Sequence, residues 1–316
     1  MVKYNDYIKK AEDLVTTSDQ TRTSFLKIAL EKNKLSTPLV KQANVFKTLA
    51  SKYNSADELL NDPELHSFLI TASGVSGKAS KYIAGPAEIT AIKEFVKNFL
   101  KPAGKNFVEE AVYRFLLIKG DTLGGAIRNR IGKMGQYRLV EMLFSIFRVT
   151  GMDCEWLDND SHKWFKLDDN FTDISSKVKA IAWQNNKGNR VLLLNTNIPT
   201  VGKNVDICLF DSCKDQVLNK EIVSQDKQAI MFGELKSGFD PAGADEHWKT
   251  GNTALERIRN SFIEKDNIKI KTSFIAAAIA KSMANEIYTQ LEAGTLSNAA
   301  NLTNEQQLTA YCEWVI

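Results

Sequence analysis

Glu234 and Lys236 stand two residues apart in the stretch GELKSGFDPAGADEHWKT, residues 233–250. Side chains alternate along a strand, so on a strand this pair shares one face and Leu235 points to the other. A carboxylate beside an ammonium at a strand end suits metal-assisted cleavage of a phosphodiester. The carboxylate binds a hard cation such as Mg²⁺. The ammonium polarises an attacking water or stabilises charge developing on the phosphate. One carboxylate seldom holds such a cation alone. Asp206, at the start of the apolar run in VDICLFD, is the second candidate, and the Leu235 carbonyl is a further candidate ligand. The same Glu-x-Lys spacing on an exposed strand is an ordinary surface ion pair worth about 0–1 kcal/mol, and these residues alone leave both readings open.

The segment ends on His247, one of three histidines in the chain. Its plain structural reading is a helix-start histidine capping nearby carbonyls. His66 and His162 lack comparable surroundings and read as structural. Asp240 lies in a turn, poorly placed as another metal ligand. An acid there suits a hydrogen bond from a cytosine amino group, or an Asx turn ahead of Pro241. Asp245 and Glu246 suit the N-terminus of the helix that follows. Two further stretches are basic: SGVSGKASKY, with Lys78 and Lys81, and GGAIRNRIGKMGQYR, with Arg128, Arg130, Lys133 and Arg138. They read as DNA contacts or as solvated helix faces.

Strands and helices must position these groups. VKAIAWQNN, NRVLLLNTN, NVDICLFDS, AIMFGELK and IKIKTSFIAAAIA read as strands. GADEHWKTGNTALERIRNSFIEK, KSMANEIYTQLEAG and NEQQLTAYCEWV read as helices. Before Gly151 the chain reads as helical throughout. Expected helices cover NDYIKKAEDLVTT, SDQTRTSFLKIALEKNK (Ser18 or Thr23 as cap), TPLVKQANVFKTLASKY, SADELLNDPELHSFLITAS (with a Ser-x-x-Glu capping box), GPAEITAIKEFVKNFLKPAG, NFVEEAVYRFLLIKG and GQYRLVEMLFSIFRVTG. A Gly- and Arg-rich bend, KGDTLGGAIRNRIGKMG, is expected between the last two. The expected organisation is a mainly helical part, residues 1–155, and an α/β part, residues 156–316.

The set Asp206, Glu234 and Lys236 resembles the PD-(D/E)xK nuclease core, with Val205 in place of the motif's proline. The fuller stretch GELKSGFDPAGADEHW is similar to that of the AvaI/BsoBI family of type II restriction endonucleases. The likeness includes the spacing from Asp206 and a histidine eleven residues after Lys236. KGDTLGGAIRN, residues 119–129, resembles that family's helical part. The resemblance implies a mixed α/β fold: a central mixed sheet flanked by helices, with a helical domain that embraces DNA. It implies Mg²⁺ bound by Asp206, Glu234 and the Leu235 carbonyl. Lys236 would act on the water or the phosphate, and His247 would act as, or assist, the general base. Lys78, Lys81, Arg128, Arg130 and Asp240 would meet DNA. The implied activity is cleavage of both strands at the palindrome CYCGRG, after the first C, by a homodimer. A separate methyltransferase would protect host DNA. A PD-(D/E)xK DNase of other specificity, or an inactive DNA-binding relative, are the alternatives.

Composition agrees with a soluble globular protein. The 316 residues are 43% hydrophobic and 25% charged, with a net charge of +3. That length suggests about two domains. Mild basicity neither demands nor excludes nucleic acid, because a local basic groove can hide inside a balanced total. Cys154, Cys208, Cys213 and Cys312 form no CxxC pair and read as reduced thiols of a cytoplasmic protein. The start of the chain lacks a signal-peptide apolar region, and no apolar run is long enough to span a membrane.

Overall fold

The computed structural model describes residues 3–83, 85–168 and 174–316. The helices are α1 Ser18–Ala50, α2 His66–Ala72, α3 Pro86–Phe95, α4 Phe107–Thr150, α5 Asp215–Leu218, α6 Ala244–Asp266, α7 Lys281–Glu292 and α8 Glu305–Val315. The strands are β1 Cys154–Asp158, β2 Trp164–Lys166, β3 Val178–Asn185, β4 Gly188–Ile198, β5 Lys203–Phe210, β6 Ala229–Lys236, β7 Lys271–Ala276 and β8 Asn298–Asn301. The fold is mixed α/β.

The chain divides into two compact units, residues 26–130 and residues 1–25 with 131–316. The change of texture near residue 155 marks where helix gives way to strand, since β1 begins at Cys154. Compactness divides the chain elsewhere. The first 25 residues pack with the sheet, and the later part of α4 covers one of its faces.

Residues 26–130 are helical around their own core of Phe46, Leu59, Leu69, Phe95, Leu100 and Phe115. In the other unit, all eight strands form one sheet in the order β2-β1-β3-β4-β5-β6-β7-β8. Neighbours are antiparallel from β2 to β6, and β6, β7 and β8 are parallel. Alternation along β6 decides what each face buries. Phe232 joins Phe210, Phe274 and the apolar stripe of α6, including Trp248, Leu255 and Phe262. Met231 and Leu235 join Leu139, Leu143 and Phe147 of α4 and Leu308 and Tyr311 of α8. The sheet is thus the middle of three layers.

The strands expected at β3 to β7 and the helices expected at α6, α7 and α8 are present. The N-terminal half differs in four places. Residues 5–17 form only short 3-10 turns, because their polar groups serve the sheet: Tyr7 Oη donates to Asn298, and Leu14 O accepts from Asn301. The two helices expected around Pro38 are one, α1, capped by Thr17, whose Oγ1 accepts from Gln20 N. Pro38 withholds an N–H from the Lys34 carbonyl, but both residues are exposed, so water can satisfy that group. SADELLNDPELHSFLITAS is turns followed by the short α2, because Asp62 and Pro63 restart the chain, Asp62 accepting from Glu64 N. The glycine-rich bend is absent, and α4 runs 44 residues through it. Leu123, Ile127, Ile131 and Met134 keep helical spacing there. Each interior glycine costs a helix about 1 kcal/mol, and packing of the flanking segments outweighs that. Among the described residues no helix is long and apolar enough to cross a membrane, and all four cysteines are free.

Candidate active site

Strand β5 ends its ladder with β6 at Ile207, paired with Gly233. Extending that register by one residue sets Asp206 across from Glu234 on the sheet face that α6 covers. In place of a further ladder bond, the Leu235 amide donates to Asp206 Oδ2 at 2.8 Å. N–H and C=O of one strand residue point to the same side, so the Leu235 carbonyl also faces the Asp206 side. The next carbonyl, of Lys236, accepts from Ala277 N on the opposite side. Lys236 Nζ donates to Glu234 Oε2 at 3.0 Å, and the Glu234 side chain is only 8% exposed. This is not a surface ion pair. The three residues found two and twenty-eight positions apart in sequence form one group.

The electrostatics of the group are strained. Burial pushes the Glu234 carboxyl up to about 7, and the neighbouring Asp206 charge adds to that. Lys236 and Arg257 oppose the shift. Asp206 is also raised, chiefly by burial, against the Leu235 amide and Lys236. Two facing carboxyls that resist ionisation are what a hard cation relieves, since a bound cation replaces the missing water and balances the charge. The donor set of two carboxylates and a strand carbonyl is all oxygen and fits Mg²⁺. Among the described residues no cluster of three or more His, Cys, Asp or Glu could hold a metal. A cation here would therefore complete its shell with water and substrate oxygens.

His247 sits in the first turn of α6, half-buried. Its ring lies against the loop just past Lys236: a Cβ on Gly238 would meet His247 Nε2 at 2.4 Å. The ring makes no hydrogen bond to Asp206, Glu234 or Lys236. Asp240 is exposed and caps the turn at Pro241, its Oδ1 accepting from Ala242 N at 3.0 Å. Phe239 packs edge-on against Phe25, with ring centroids 4.8 Å apart, which anchors the same loop. Asp245 and Glu246 lie in the first turn of α6, where its dipole favours them.

Lys78 and Lys81 are exposed around a 3-10 turn, and α3 follows at Pro86. Arg128 is exposed on α4, its guanidinium folded back over Gly124 and Gly125. Arg130 pairs with Glu31 at 2.9 Å. These four belong to residues 26–130, apart from the carboxylate group in compactness.

Sequence reasoning missed three residues around the group. Arg257 acts on Glu234 from α6. Gly251, one turn beyond His247, lets the Lys236 stem lie close, since a Cβ there would meet Lys236 Cε at 3.5 Å. Ser237 fastens the end of β6 to α4. The four-residue step from His247 to Gly251 was the one available signal, as it puts both on one face of a helix.

Comparison with known proteins agrees with this geometry. Residues 4–316 match the family described as restriction endonuclease BsobI. The chain belongs to the BsobI restriction endonuclease family. It is 43% identical over 313 residues to the type II restriction enzyme AvaI of Anabaena variabilis, covering 99% of each chain. It is 41% identical over 317 residues to the type II restriction enzyme BsoBI of Geobacillus stearothermophilus, covering 99% of this chain and 98% of that one. The family is one of type II site-specific deoxyribonucleases, and its model spans the N-terminal helices as well as the sheet.

Proposed function

We propose that this protein is a Mg²⁺-dependent type II restriction endonuclease that hydrolyses both strands of duplex DNA at CYCGRG, after the first C, leaving 5′ overhangs. The observation that carries the reading is the convergence of Asp206, Glu234 and Lys236 at the end of β6, with the Leu235 carbonyl on the Asp206 side. Asp206, Glu234 and that carbonyl hold the cation. When bound, Mg²⁺ neutralises charge at the scissile phosphate and lowers the pKa of water. Lys236, released from Glu234, orients the attacking water and stabilises the charge that builds on the phosphate oxygens. His247 takes up a proton or orients the water from the α6 side. Asp240 accepts from a cytosine amino group with the oxygen not used in its cap. Lys78, Lys81, Arg128 and Arg130 hold the DNA backbone and the groove edges. A palindromic site is matched by a two-fold protein, so the active form is a homodimer with one centre per strand. The two compact units correspond to a helical DNA-embracing part and a catalytic part. The enzyme works in the bacterial cytoplasm beside a methyltransferase of matching specificity.

The test is a digest of sequenced plasmid DNA by purified protein with Mg²⁺, the fragment ends read by sequencing. Ends only at CYCGRG support the whole reading. Ends at another palindrome keep the nuclease and refute the specificity. Intact DNA in both Mg²⁺ and Mn²⁺ refutes the nuclease.

A further inference from the structure

Directly after Lys236 the chain is gripped by α4. Ser237 is buried; its Oγ donates to the Gly132 carbonyl at 2.8 Å and accepts from the Gly135 amide at 3.1 Å. Only glycine fits at 135. A Cβ there would meet Ser237 Oγ at 2.5 Å and Leu235 Cδ2 at 2.8 Å. Real Cβ atoms do not approach so closely, so helix and strand are in near-backbone contact at this point.

This contact brings new side chains beside Asp206. Lys133, Gln136 and Tyr137, on the gripped turns of α4, line a cavity of about 210 Å³ together with Asp206 and Leu235. Lys179 also lines it and donates to the carbonyls of Leu194 at 2.8 Å and Asn195 at 2.9 Å. Among the described residues, the Lys133 ammonium, the Gln136 amide and the Tyr137 hydroxyl have no hydrogen-bond partner. Three donor-bearing side chains without partners, lining one cavity with a second ammonium, suit an anion with several acceptor oxygens. Asp206 alone would repel that anion, but a divalent cation held by Asp206 and Glu234 would cancel their charge. The cut strand supplies such groups at every nucleotide.

We propose that Lys133, Gln136 and Tyr137 form a subsite for a phosphate of the cut strand adjacent to the scissile one, fixed in place by the Ser237–Gly135 contact. The subsite rests on the nuclease reading above. It makes the middle of α4 a second wall of the active centre, and the grip on Ser237 links occupancy of the subsite to the position of Lys236.

The experiment compares the wild type with Lys133→Ala and Tyr137→Phe. Duplexes carry the palindrome read from the plasmid digest, and each holds one neutral methylphosphonate linkage at a different position. Affinity is measured by fluorescence anisotropy with Ca²⁺ in place of Mg²⁺. Lys133 is exposed, so its replacement leaves folding intact. The expected result is one linkage beside the cut that costs the wild type about tenfold in affinity and costs Lys133→Ala less than about twofold. Tyr137→Phe should lose part of the same penalty. Equal penalties in all three proteins at every linkage would overturn the subsite and leave the nuclease standing. A wild type that neither cuts plasmid nor binds these duplexes would overturn the nuclease reading itself.

Discussion

Replacing Glu234 by Gln tests the electrostatics of the carboxylate pair without any DNA. In the folded protein the Glu234 carboxyl holds its proton up to about pH 7, against an ordinary value of 4.5. Each unit of difference is worth about 1.4 kcal/mol, so charging this group in place costs the fold about 3 kcal/mol. The sign follows from the direction of the shift. Between pH 4.5 and 7 the folded state keeps a proton that the unfolded state has released. The stability this gives is fully present below 4.5 and is lost as pH rises through 7. Metal-free wild type should therefore lose about 3 kcal/mol more than Glu234→Gln between pH 4.5 and 8. Removing the carboxylate also costs Lys236 its partner at 3.0 Å. That offset is nearly independent of pH over this range, so the slope is the quantity to read. Denaturant titrations of both proteins at half-unit steps of pH give it directly. Mg²⁺ at pH 8 should restore stability to the wild type and do so far less in the variant, because the cation replaces the missing proton. Parallel pH curves for the two proteins would refute the argument that burial and Asp206 strain this carboxyl.

Three further substitutions probe the group and its surroundings. Gly135→Ala should destabilise by about 1–3 kcal/mol through overpacking on Ser237 and Leu235. Gly132→Ala meets nothing within 4 Å and should stabilise α4 by up to about 1 kcal/mol, both measured by denaturant midpoint. Lys236→Ala should lower single-turnover cleavage by about 10²–10³-fold while duplex affinity changes only a few-fold, and equal losses in both would assign the lysine to binding.

Much of the active end was legible because it is local. β6 was readable from AIMFGELK, and the two-residue step from Glu234 to Lys236 settles their common face once the strand is known. Asp206 was found as a carboxylate leading an apolar run, and the register with β6 sets it opposite Glu234. What escaped depends on distance along the chain. Ser237 and Gly135 are 102 residues apart, and a serine after a strand carries no mark of its partner. β8, built from Asn298, two alanines and Asn301, has little strand propensity and exists because β7 offers it an edge. The glycines of α4 read as a bend because single-residue propensity favours one. The helix persists because its flanking segments pack well enough to outweigh the glycines, and Gly135 leaves the room that the end of β6 needs. His247 could be singled out by type, but that its ring lies on Gly238 follows from how α6 enters after the turn at Pro241.

The early residues that failed to become a helix set the order in which the protein can be made. Gln307 Nε2 reaches the Asp13 carbonyl, Asn301 Nδ2 the Leu14 carbonyl, and the Ile279 amide Thr16 Oγ1. These bonds span up to 294 positions. A ribosome adds roughly 5–20 residues per second, so residues 7–16 wait roughly 15–60 s for their partners to emerge. For most of that interval β6 itself has not been made, and between its emergence and that of β7 the strand bearing Glu234 is an open edge. The strand that carries Glu234 and Lys236 thus gains its parallel neighbour only after the antiparallel part of the sheet has been made, and the catalytic group is framed on both sides only then.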